Sequence, residues 1–153
     1  MTEIRLRKRH RMRQKEIAAL AASIEGATGA KVFSSLDTVD MAEGPDFDAV
    51  IVDGKVLAVV IEGVPFLTVR GFLRYAASRR YVTVDMGAVK FVANGADVMG
   101  PGIVDADPTI AEGDFVWIRD ERNKRPLAIG RALVPGEAMR SKTKGKAVSS
   151  VHF

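Results

Sequence analysis

From Arg79 onward the chain is cut into short β-branched and aromatic runs, "RYVTVD", "DFVWIRD", "PLAIGRALV" and "GKAVSSVHF", separated by glycine, proline or the charged turn "DERNKR". Runs of this length bounded by turn residues build strands. Four or five of them in about 75 residues, with one helical insert near 86–93, predict a small barrel-like, mainly-β domain.

The front half reads differently. Ile17, Leu20, Ala21 and Ile24 fall at i, i+3, i+4 and i+7, which predicts an amphipathic helix over about Gln14 to Ile24, ended by Gly26 and Gly29. "KVFSSLDTVDMAEGPDFD" reads as a short strand followed by an acidic loop broken at Gly44-Pro45. In "AVIVDGKVLAVVIEG" two β-branched runs flank Asp53-Gly54, a pair suited to a type I′ turn, so a hairpin is expected. Val69, Phe72, Leu73 and Ala76 resume helical spacing behind Thr68 as N-cap. The expected organisation is an α+β domain over 1–78 and a mainly-β domain over 79–153, with the boundary at Ser78 to Arg80.

The formal charge of +4 conceals an uneven distribution. Residues 1–15 hold seven Lys/Arg and one acid, residues 16–139 hold twelve and eighteen, and residues 140–153 hold four and none. Clustered cations at both ends favour a polyanionic partner, since Lys and Arg release counterions when they neutralise phosphates; solvated basic tails are the bland alternative. No run approaches the ~18 apolar residues of a membrane span. "RLRKRHRMRQK" before "EIAALAASI" imitates a signal peptide, but the apolar part opens with Glu16 and stops at Ser23 to Glu25, too short and too polar. With no cysteine there is no disulfide framework or thiolate metal site, in keeping with a cytoplasmic protein.

Nucleotide-binding, zincin and nucleophile-elbow motifs are missing. The two histidines, His10 and His152, lie at opposite ends. Asp85, Asp97, Asp105, Asp107, Asp114 and Asp120 invite a metal or acid–base reading, yet most adjoin glycine or proline, where aspartate satisfies turn amides. The expectation is a non-enzyme with no cofactor and no metal.

The stretch "DMGAVKFVANGADVMGPGI", residues 85–103, is rich in glycine and carries only Lys90 as a positive charge. Ala88, Val89, Phe91 and Val92 give a short helix an apolar face, Gly95 suits a left-handed residue ending it, and the glycines of "GPG" suit a tight bend or a close backbone approach. With "EGDFVWI", "PLAIGRAL" and "GKAVSSVHF" following in order, "VDMGAVKFVANGADVMGPGI" resembles the signature of the PUA domain, an RNA-binding module. The resemblance implies a pseudo-barrel of about six strands with a helix against its mouth. It further implies an RNA face carried by Gly87, Ala88, Lys90, Phe91, Gly95, Ala96, Met99, Pro101, Gly102 and Ile103, although Phe91 and Ile103 equally suit a core. Arg140, Lys142, Lys144 and Lys146 would add phosphate contacts. Gly100 departs from the pattern of some relatives of that family, which carry a longer or basic side chain before Pro-Gly.

"VDGKVLAVVIEGVPFLTVRGFLRYAA" resembles the pre-PUA domain of the family of the malignant T-cell-amplified protein. That resemblance implies structured RNA as partner, a tRNA acceptor end or rRNA of the small ribosomal subunit, and a density-regulated-type protein held by the N-terminal half. An RNA-binding accessory subunit of a tRNA or rRNA modification enzyme is the alternative; a protein-interaction adaptor with merely solubilising ends is a third.

Overall fold

The computed structural model describes residues 6–152. Arg5 of the basic run and Phe153 of the run "GKAVSSVHF" lie outside the described residues. The chain divides into two compact units, with the break between Ala77 and Ser78.

The first unit is a five-stranded antiparallel meander in sequence order: β1 (Arg7–Arg11), β2 (Val39–Glu43), β3 (Asp48–Val52), β4 (Lys55–Ile61) and β5 (Val64–Leu67). Asp53 (φ 53°) and Gly54 (φ 75°) form the expected turn between β3 and β4, and Glu62 (φ 52°) with Gly63 (φ 78°) repeats it before β5. Helix α1 (Gln14–Thr28) packs on β5, and α2 (Val69–Arg74) packs on β4 and β5 behind the Thr68 side chain, which accepts from the Gly71 N–H.

Two expectations for this unit are corrected. Helix α1 does not stop at Ile24 but runs through Gly26 to Thr28. Gly26 faces open space, and buried Ile24 and Thr28 outweigh the ~1 kcal/mol an interior glycine costs. Gly29 alone ends the helix, left-handed at φ 78° with its N–H on the Glu25 carbonyl. In "KVFSSLDTVDMAEGPDFD" the order of strand and loop is reversed, because Val39 and Ala42 bury themselves while the acids of β2 face β1. Residues 7–11 of the basic run form a strand, so the bland alternative of a solvated tail does not describe them.

The second unit holds β6 (Tyr81–Val84), α3 (Met86–Ala93), β7 (Val98–Met99), a 3₁₀ turn at Gly100–Gly102 and β8 (Ile103–Ala106). These are followed by β9 (Phe115–Asp120), β10 (Pro126–Ala132), α4 (Gly136–Arg140) and β11 (Lys146–His152). Strands β7 and β8 and helix α4 go beyond the runs that composition marks out. The sheet order is β7-β11-β10-β9-β6-β8, with β6 and β9 parallel and every other pair antiparallel. Laid flat, the outer strands of six would lie about 24 Å apart at ~4.8 Å per spacing. Yet β7 and β8 are those outer strands, and three residues join them, a reach of at most about 14 Å. The sheet must therefore curl until its edges approach, which makes it a pseudo-barrel. Its interior is filled by Val82, Val84, Ile103, Val116, Ile118 and Met139 among others, with Val92 of α3 closing the core.

Candidate nucleic-acid interface

The site is built where β6 ends. Asp85 leaves the strand as N-cap, its Oδ1 accepting the Ala88 N–H at 2.9 Å, while its own N–H donates to the Gly102 carbonyl at 2.9 Å. The first turn of α3 is thus stitched to the 3₁₀ turn. Helix α3 buries Val92 and leaves Phe91 65% exposed. Beyond the helix, Gly95 takes φ 99° and the Ala96 N–H returns to the Phe91 carbonyl at 3.0 Å, folding the chain back along α3 into β7. Met99 emerges there 48% exposed.

Between helix, turn and strand opens a cleft of about 420 Å³ lined by Ala88, Phe91, Val92, Ala96, Asp97, Val98, Met99, Gly102 and Lys146. An exposed aromatic, a thioether and backbone next to small residues make a surface on which a flat base can stack. Among the described residues that line it the one cation is Lys146, which is paired with Asp97 at 3.2 Å. Asp97 also accepts the Ser150 N–H at 2.8 Å; that bond first, and Lys146 second, hold its carboxyl below the usual range.

Residues 80–153 match the PUA domain family. Over 155 aligned residues the chain is 35% identical to an uncharacterized protein of Methanocaldococcus jannaschii, covering 97% of this chain and 93% of that one. The chain is a PUA-domain protein. A conserved PUA-domain protein of Thermoplasma acidophilum shares the fold with a TM-score of 0.81 at 25% identity, over 95% of this chain and 93% of that one. Translation machinery-associated protein 20 of Eremothecium gossypii is 32% identical over 91 residues, 56% of this chain and 50% of that protein. The chain thus spans about half the length of this translation-associated relative, with which it shares the family.

Within the PUA domain, the residues expected at the RNA face divide. Ala88, Phe91, Ala96, Met99, Gly102 and Lys146 come together around the cleft. Gly87, Lys90 and Pro101 are exposed but do not line it, and Gly95 serves the turn. Ile103 is corrected: at 1% exposure its side chain belongs to the barrel core. The four C-terminal cations also divide. Arg140 pairs with Asp105 at 3.5 Å as Lys146 pairs with Asp97, so two of the four are locally neutralised. Lys142, left-handed at φ 54°, and Lys144 lie exposed on the loop between α4 and β11, with no ion pair among the described residues.

Gly100 acquires a reason here. A Cβ on it would lie 1.7 Å from the Thr143 carbonyl oxygen, and its N–H donates to the Gly145 carbonyl at 2.8 Å. No side chain fits, because the lysine loop itself is docked there. The aspartates mostly do turn work: Asp107 accepts from Arg80 and Thr109, Asp114 from Ala111, and Asp120 from Asn123 and Arg125. Sequence reasoning missed Asp97 as part of the site, since its partners Lys146 and Ser150 are remote in the chain. Among the described residues no three His, Asp or Glu side chains are grouped to hold a metal, and no helix is long and apolar enough to cross a membrane.

Proposed function

We propose that this PUA-domain protein is a non-catalytic RNA-binding protein of translation, which seats an unpaired nucleotide of a tRNA acceptor end or of small-subunit rRNA in the α3–β7 cleft. The carrying observation is Phe91, a large aromatic exposed at 65% on the wall of an apolar cleft that has the lysine loop docked at its edge. A ring held out in solvent adds little to the core; beside cations it offers a stacking platform whose charge comes from Lys142 and Lys144. Translation as the setting is supported by the kinship with translation machinery-associated protein 20, and would place the protein in the cytoplasm.

Binding of total tRNA by the full chain tests this. Phe91→Ala should weaken affinity by roughly 5- to 150-fold, the equivalent of ~1–3 kcal/mol of base stacking, with an unchanged melting temperature. Unaltered affinity, or a wild-type chain that ignores tRNA, defeats the reading. Affinity capture from cells then addresses the setting: small ribosomal subunits are expected, and a modification enzyme without ribosomes would replace translation with the accessory-subunit role.

A further inference from the structure

The RNA face lies entirely in the second unit, yet the densest run of cations is on β1, whose residues Arg7, Lys8, Arg9, His10 and Arg11 are all exposed. Among the described residues this strand pairs only with β2, at an edge of its sheet. Charged side chains on an edge strand prevent other strands from adding to it, a role that needs charge but no fixed direction.

Direction is nevertheless fixed here. Arg9 and Arg11 sit two residues apart, beside a shift of the β1–β2 register between Arg7 and His10, and Asp40 of β2 stands opposite Arg11. The Arg9 Nε donates to Asp40 Oδ2 at 2.9 Å and the Arg11 Nε donates to Asp40 Oδ1. One carboxylate with 15% side-chain exposure thus holds two guanidinium groups that are themselves 55% and 63% exposed. Both bond through Nε alone. Their terminal nitrogens, the pairs of N–H donors that match a phosphate, make no hydrogen bond among the described residues. Two cations share one anion, which leaves a net positive charge at the pair.

We propose that this edge is a second phosphate-binding surface, on which Arg9 and Arg11, oriented by Asp40, grip the RNA backbone while the PUA cleft takes a base. The proposal rests on the RNA-binding reading and adds a second contact region to it. Lys8, tied loosely to Glu43 at 3.8 Å with both side chains more than half exposed, and Arg7 extend the same positive edge.

The test is salt-dependent binding of the full chain to single-stranded oligouridine RNA of about 20 nucleotides. Each phosphate contact on a single strand contributes ~0.7 to the slope of log K against log salt, so Arg9→Gln/Arg11→Gln should flatten the slope by about 1.4. Thermal melts establish that the variant stays folded, which is expected because exposed ion pairs contribute little to stability. Asp40→Asn separates orientation from charge: it removes a negative charge, so undirected attraction requires tighter binding, whereas an orienting Asp40 requires equal or weaker binding. Tighter binding by Asp40→Asn, or an unchanged slope for the arginine double variant, overturns the proposal. Phe91→Ala in parallel distinguishes the two failures. Loss with Phe91→Ala alone leaves the cleft reading standing and rejects the edge; loss with the arginine variant alone does the reverse.

Discussion

Both ends of this chain are basic, but the two cation groups are held in different ways. On β1 the charges sit on an edge strand whose register with β2 shifts between Arg7 and His10, and one carboxylate, Asp40, sets the direction of two guanidinium groups. From the end of α4 onward the four charges are split: Arg140 and Lys146 each have a carboxylate of their own, and Lys142 and Lys144 ride on a loop whose place is set by backbone docking at Gly100. A count of cations therefore misstates what a phosphate meets. Screening beyond ~8–10 Å makes the local balance decisive, and locally the C-terminal group offers two free lysines while the β1 pair offers two forks against one acid.

The contrast breaks most visibly at Gly100. Gly100→Ala puts a methyl into the Thr143 carbonyl, a backbone atom with little room to yield. Overpacking of this kind costs about 1–3 kcal/mol, and a unit this size loses roughly 4–8 °C of melting temperature per kcal/mol. Thermal denaturation should show that drop, with a flatter RNA salt slope as the lysine loop shifts and with the Arg9–Asp40–Arg11 group unaffected. An unchanged melting temperature would mean that the loop is not tightly docked.

A smaller effect separates free from compensated charge within the C-terminal group. On the proposed reading, in which Lys142 and Lys144 each meet a phosphate of a single strand, Lys142→Gln/Lys144→Gln should flatten the salt slope by about 1.4, and Arg140→Gln/Lys146→Gln should leave the slope close to wild type. Equal slopes from the two double variants would sink the distinction.

These differences also mark what could be read in the residues. The first sheet is a meander of consecutive strands, and Asp53-Gly54 announces its central turn; Glu62-Gly63 makes the same turn but escapes notice because glutamate is an uncommon residue at positive φ. "RKRHR" has no apolar alternation, and it becomes a strand only through partners more than two dozen residues away in β2. In the second sheet the parallel β6–β9 pair and the closing β7–β8 connection join segments by rules that periodicity does not carry, so the barrel was legible chiefly through the family signature. Helix α3 was plain from local pattern, whereas Asp85, read as turn chemistry, is its N-cap. Which apolar residue of α3 faces out was not: Ala88, Val89, Phe91 and Val92 fill a wide arc, and only packing against the barrel decides that Val92 is inside and Phe91 outside. Ile103, flanked by Gly102 and an exposed Val104, went the other way.

The smallest expected effect sharpens the comparison most. Asp40 and Asp97 both titrate below the usual carboxylate range, Asp40 through hydrogen bonds from Arg11 and then Arg9, Asp97 through the Ser150 N–H first and Lys146 second. A depressed folded-state value means stability that is present above the unfolded value of about 3.9 and lost as pH falls through the folded value. Neither carboxylate should therefore alter the melting temperature between pH 5 and 8, and both losses fall below about pH 4. Carboxylate titration by NMR distinguishes the two devices. Arg9→Gln/Arg11→Gln should return Asp40 close to the ordinary value, since its cations cause the shift. Lys146→Gln should leave Asp97 still depressed, since a backbone amide is its main support. If Asp97 instead followed its lysine as closely as Asp40 follows its arginines, the two ends would be held by the same kind of pairing, and the difference between an oriented edge and a docked loop would rest on Gly100 alone.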